Sequence, residues 1–158
     1  MIALHSAPPP PCAAALAARL QLLVDSYRRL TGRDLLVPDT QPLPEAVWHA
    51  PRVIVAHGTE SDPVFFYGNR LALAAFEMPY AAFVRLPSRF SAEPVNREER
   101  ARLLERVARD GYIDDYSGVR IAASGRRFCI NAATVWNLVD ADGAVHGQAA
   151  TFSAWQDL

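Results

Sequence analysis

The side chains in this sequence that could do chemistry are few and scattered. There are four histidines (His5, His49, His57 and His146) and two cysteines (Cys12 and Cys129). The histidines show no metal-ligand spacing, and no H-E-x-x-H motif occurs. Two cysteines build neither a disulfide framework nor a tetrahedral metal site, and they read as reduced thiols. Nucleophilic catalysis lacks its markers as well. No Gly-x-Ser-x-Gly elbow is present, and Cys129 falls mid-strand, where a thiol behaves as a small core residue. Neither G-x-G-x-x-G nor G-x-x-x-x-G-K occurs to cradle phosphate. Asp114 and Asp115 are adjacent carboxylates, but neighbours on a strand point to opposite faces and are poor partners in acid–base work. A cross-sheet pairing with Arg120 or Arg126 is expected instead. The chain is therefore expected not to be an enzyme, with a small enzyme of unknown class kept as a third alternative.

Polar residues set among aromatic strands give a stronger signal. Asn131, Asn137 and Gln148 lie on apolar strands, close in sequence to Tyr112, Tyr116 and Trp136. Burying an amide without a partner costs roughly 1–3 kcal/mol. Each therefore faces solvent, satisfies backbone or lines a polar pocket. Asn69 and Arg89 fall at helix–loop junctions, where they could tie loops to a cavity mouth. With Tyr67, Phe76, Tyr116 and Trp136 these residues form the candidate pocket for a small, partly apolar ligand. A second candidate surface is the stripe Leu16, Leu20, Leu23, Tyr27 and Leu30, whose three- and four-residue steps mark one face of a helix of about five turns. It would serve a homodimer interface or fold back on its own sheet.

Composition sets the frame for these residues. The chain has 158 residues, 51% apolar and 21% charged, which is the composition of one globular domain. Sixteen basic residues, all arginine, oppose seventeen acidic ones for a net charge of −1. No bulk field favours nucleic acid or an anionic membrane, and neither is expected as a partner. The apolar N-terminus has no basic leader, holds Pro8–Pro11 and is cut by Arg19, so it fits neither a signal peptide nor a membrane span. A cytoplasmic protein is expected.

The elements that position these residues follow from punctuation and period. Gly32 should close the N-terminal helix, and a Pro- and Asp-rich loop should run from Leu35 to Ala46. Arg52–Ala56 and Val64–Tyr67 read as strands of a hairpin. Short helices follow at Leu71–Phe76 and from Pro79 to Leu86, then a loop from Pro87 to Pro94. Asn96 and Glu99 form a capping box for a longer helix. Ala101, Leu104, Val107 and Ala108 are expected inward, and the pairs Glu98–Arg102 and Glu105–Arg109 outward. The many arginines of this helix read as a solvated face. Three strands close the chain, Tyr112–Ala123, Arg127–Val139 and Val145–Trp155, joined at Ser124-Gly125 and Asp140–Gly143 by hairpin turn chemistry. In the middle one, Phe128, Ile130, Ala132, Trp136 and Leu138 are expected on one face, and Cys129, Asn131, Val135 and Asn137 on the other. One five-stranded antiparallel sheet accommodates all of this if the first hairpin lies beside the last strand, with helices on one face. That is the plan of a PAS domain, an α+β fold, here with an additional N-terminal amphipathic helix.

The stretch from Pro87 to Phe152 also resembles the MEKHLA family. The residues that carry the likeness are Leu86-Pro-Ser-Arg89, Ser91-Ala-Glu-Pro94, Gly111-Tyr-Ile-Asp-Asp-Tyr-Ser-Gly118, Ser124-Gly-Arg-Arg-Phe128, Val135-Trp-Asn137 and Gly147-Gln-Ala-Ala-Thr-Phe152. Asp62-Pro-Val-Phe-Phe-Tyr-Gly-Asn69 matches the PAS pattern of a strand ending before a helix. The resemblance is to a PAS-like domain found as a stand-alone bacterial protein and at the C-terminus of plant homeodomain–leucine zipper factors. It implies a PAS-like fold and a role in sensing or protein interaction, and it supplies no catalytic residues. No homeodomain or zipper pattern occurs here, so the plant proteins' DNA binding does not transfer. Residues 1–36 are expected to form a leader and flanking helix, and 45–158 the MEKHLA domain. No motif for haem, covalent flavin or metal is present, and any cofactor is left unassigned. The leading expectation is a sensor that binds a small ligand between sheet and helices and acts in trans on an unidentified protein partner. The alternative is a homodimerising interaction module with a filled core.

Overall fold

The computed structural model describes residues 13–38, 40–93 and 97–158. His5, the Pro8–Pro11 leader, Cys12 and Asn96 of the expected capping box lie outside them. The N-terminal stripe forms α1 (Ala14–Thr31), closed by Gly32 at φ 72 with its N–H on the Arg28 carbonyl. Glycine reaches that left-handed cap at no steric cost. The loop expected from Leu35 to Ala46 gives way to a short helix, α2 (Leu43–Trp48). Its prolines masked it. Pro42 is the N-cap and Pro44 lies in the first turn, where the missing N–H removes no helical bond.

A hairpin follows, β1 (Val53–His57) and β2 (Phe65–Gly68). Next come α3 (Arg70–Phe76), α4 (Tyr80–Phe83), a 3-10 turn at Ser88–Ser91 and α5 (Arg97–Asp110). The C-terminal strands are β3 (Tyr112–Ile121), β4 (Arg127–Val139) and β5 (Val145–Phe152). The last strand does not run unbroken to Trp155 as expected. It jogs after Phe152 and resumes as β6 (Trp155–Asp157) against the first part of β4. All pairings are antiparallel, in the order β2-β1-β5-β4-β3 with β6 on β4. The first hairpin thus lies beside the last long strand, and the sheet has six strands rather than five.

Helices cover both faces of this sheet. Trp136 donates its indole N–H to the Leu23 carbonyl of α1 at 3.1 Å, and its ring meets Tyr27 edge-on at 4.9 Å. Its neighbour Val135 packs with Val107 of α5 and Ile113. Successive strand residues point to opposite faces, so α1 and α5 lie on opposite sides. We call the α1 side outer and the α5 side inner.

A bulge in β4 decides which residues face which side. Ile130 opposes Gly118 and Ala133 opposes Tyr116, three steps on β4 against two on β3. The surplus residue is accommodated where Ala132 adopts φ 52. Opposed residues share a face. Phe128 and Ile130 therefore lie inner together with Ala133 and Val135, while Trp136 and Leu138 lie outer. The expected alternation, with Phe128, Ile130, Trp136 and Leu138 on one face, fails because it assumed an unbroken period of two. Phe128 meets Phe76 of α3 at 5.4 Å, which places α3 on the inner side with α5.

The inward face of α5 also differs from expectation. Val107 is buried with Leu103 packed beside it, whereas Leu104 is 50% exposed and Ala101 and Ala108 face solvent. Two adjacent leucines left the helical period two ways to turn, and the strand it covers selected Leu103. Arg109 pairs with Asp110 at 3.1 Å rather than with Glu105.

Candidate functional site

The structure does not gather the nine candidate pocket residues into one pocket. Asn137 and Gln148 come together. The Gln148 amide N–H donates to Asn137 Oδ1 at 3.3 Å, both half-buried on the inner face, with His57 opposite Gln148 in register. Tyr116 lies on the same face, with the Arg120 guanidinium 5.5 Å from its ring. Phe76 is in the inner core, where Phe65, Phe83 and Phe128 stand around it. Phe65 stacks on Phe83 at 4.4 Å, and Phe76 sits 5.7 Å from Phe83. A Cβ on Gly68 would fall 2.6 Å from the Phe83 ring, so this layer admits no further atom there. The space between sheet and α3–α4 is thus taken up by the protein's own rings.

Tyr67 and Trp136 lie on the outer face, along a row through Ala56 and Ala149. Arg89 is a surface residue, 3.1 Å from Asp62 and 4.0 Å over the Phe90 ring. Asn131 is exposed beside the bulge, on the opposite side of β4 from Asn137.

Asn69 is fully buried and meets all four of its hydrogen-bonding demands. Its Oδ1 accepts from the N–H groups of Ile54 (3.1 Å) and Ala72 (3.2 Å). Its Nδ2 donates to the carbonyls of Arg52 (2.8 Å) and Val47 (3.2 Å). One amide thereby caps α3 and ties it to β1 and α2. Its chemistry is spent on the backbone.

The second candidate set folds in cis. Leu20, Leu23 and Tyr27 are buried against the chain's own sheet, with Leu16 and Leu30 packed at the margins of the same core. Polar contacts latch the helix. Ser26 Oγ donates to the Val139 carbonyl (3.2 Å) and accepts from its N–H (2.9 Å), and Arg29 donates to the same carbonyl. Nothing in the stripe itself announced Ser26.

Asp114 and Asp115 point apart, as their adjacency requires. Asp114 takes Arg33 beyond α1 (3.0 Å) and Asp115 takes Arg106 of α5 (2.7 Å), not Arg120 or Arg126 across the sheet. Arg126 instead joins Glu77, Asp157 and the Ala75 carbonyl, linking the end of α3, the β3–β4 turn and β6. Hydrogen bonds from Ser124, and then Arg126, hold the Glu77 carboxyl below its usual range. Among the described residues, no group of three or more His, Cys, Asp or Glu side chains could hold a metal ion. No helix among them is long and apolar enough to cross a membrane.

The sequence matches the MEKHLA domain over residues 17–157, nearly its whole length. The chain belongs to the MEKHLA domain family. The match begins at residue 17, inside α1, so most of the helix on the outer face lies within it. Among relatives of this MEKHLA chain is the homeobox-leucine zipper protein HOX29 of Oryza sativa subsp. indica, 26% identical over 150 residues. That alignment covers 85% of the MEKHLA chain but 17% of the plant protein. Solved structures establish the PAS-like fold. A PAS domain from Colwellia psychrerythraea aligns at TM-score 0.59 with 11% identity, covering 72% of this chain and 92% of that one. The light-state dimer of the fungal blue-light photoreceptor Vivid aligns at TM-score 0.60 with 14% identity, covering 90% and 95%.

Proposed function

We propose that this MEKHLA chain is a non-enzymatic PAS-like regulatory module that acts in trans through protein contacts. It does not work through a ligand enclosed between the sheet and α3–α4. The observation that carries this reading is the filled inner layer, Phe65, Phe76, Phe83 and Phe128, in ring-to-ring contact. Close packing of this layer holds no room for a guest, which supports a module read out at its surface. Because the α1 stripe packs on its own sheet, a homodimer would use other surfaces or exchange α1 between copies. Native mass spectrometry of the freshly purified chain, beside the same sample denatured, tests the reading. A bare mass on the folded protein is expected.

The half-buried Asn137–Gln148 pair favours a second reading, a small ligand held over the inner face near α5. An extra mass lost on denaturation, and abolished by Asn137→Leu with Gln148→Leu, would replace the first reading with this one.

A further inference from the structure

The helix α5 turns Val107 and Leu103 to the sheet and leaves two ordered rows of side chains in solvent. The first row is apolar. Ala101, Leu104 and Ala108 recur at three- and four-residue steps, all exposed, with Leu104 at its centre. The second row runs beside it. Glu98, Arg102, Glu105 and Arg109 recur at steps of four, three and four, again all exposed. Their charges alternate in sign along the helix. Arg109 meets Asp110 at 3.1 Å within the chain, but an exposed pair of that kind exchanges partners at little cost.

This charge order is complementary to its own reverse. A second α5 laid antiparallel, about a two-fold axis beside Leu104, brings its Arg109 level with Glu98 and its Glu105 level with Arg102. Symmetry repeats both pairs, so one axial position aligns four opposite-sign contacts at once. The same position sets the two Leu104 side chains level to about 1.5 Å along the axis. Ala101 and Ala108 lack bulk and let the helices approach on either side of that contact. A parallel pairing would instead set Glu98 on Glu98 and Arg102 on Arg102, like charge on like charge. The rows thus fit a second copy of this chain in one orientation. The helix has 14 residues and is about 21 Å long, so one face of it falls short of the roughly 800 Å² per partner of a stable interface. Pairing here is weak and concentration-dependent.

We infer that two copies of this chain associate reversibly through antiparallel α5 helices, with Leu104 at the centre and the alternating charges along the flank. This self-contact stands whether or not the inner face takes a ligand. Sedimentation velocity of the full chain from about 10 μM to about 1 mM tests it. A monomer–dimer equilibrium with its midpoint in that range is expected. Glu98→Arg with Glu105→Arg makes the charged row all positive, and Arg102→Glu with Arg109→Glu makes it all negative. Each variant alone should dimerise at least about tenfold more weakly. An equimolar mixture of the two, both folded by circular dichroism, should regain the association of the unaltered chain, which a merely damaged helix would not do. Should either variant fail to fold, Leu104→Arg at its exposed site decides, by abolishing association. The inference is overturned by a chain that stays monomeric at about 1 mM, by single-sign variants or Leu104→Arg that associate as the unaltered chain does, or by a mixture of folded variants no better than its parts.

Discussion

Asn69 shows how a single amide can look like a binding residue and prove to be a joint. Its place between a strand and a helix was readable in the sequence. Its four backbone partners were not, because three come from residues 15 to 22 positions away. Asn69→Ala would leave buried donors and acceptors unmet on three elements. We expect a loss of about 3 kcal/mol or more in urea unfolding. Ala132 predicts the opposite sign. A non-glycine residue at φ 52 is strained, and here it is exposed, so Ala132→Gly should stabilise the fold by about 0.5–1 kcal/mol despite its position inside a strand. Asp140 sets a pH dependence. Its Oδ2 meets His146 Nε2 at 2.6 Å and its Oδ1 accepts from Asp142 and Ala144, which hold its carboxyl below the ordinary 3.8. A lowered folded value means stability that is present above the ordinary value and lost as pH falls through the folded one. Asp140→Asn should therefore flatten the acid limb of the stability profile below about pH 4, measured by urea midpoints across that range.

At the scale of elements, α1 was readable as a helix with one apolar face, but not what that face meets. The period names a buried side; it does not name the surface that buries it. The outer row of Trp136, Leu138 and Ala149 supplies that surface only after the bulge has turned it toward α1. Ser26 then adds a reciprocal bond to Val139. Ser26→Ala should cost about 1–2 kcal/mol and should raise hydrogen exchange at the Val139 amide more than at the rest of β4. Two other elements resisted reading for different reasons. Proline, the usual mark of a loop, here starts α2. In α5, Leu103 and Leu104 were equivalent until β3 and β4 chose between them.

For the whole molecule, turn chemistry and the need to unite two groups of strands were enough to reach the sheet order and the PAS-like plan. The candidate pocket was less readable. Its residues were chosen by type, and the fold separates them by face. The same separation changes what a test of the N-terminal stripe reports. Leu20 and Leu23 are at most 1% exposed in the chain's own core. Leu20→Asp with Leu23→Asp should therefore abolish the cooperative unfolding transition, seen by circular dichroism, rather than yield a folded monomer.

The bulge at Ala132 also makes β4 intolerant of changes in length. Removing that one residue would restore an even period and rotate the following half-strand by one position. Asn137 would then take the place of Trp136 beneath α1, and Trp136 would turn toward α5. The turn at Asp140–Gly143 is exposed at its tip and can absorb an insertion. Among diverging copies of this domain, gaps should therefore gather at that turn and be purged from the strand that precedes it.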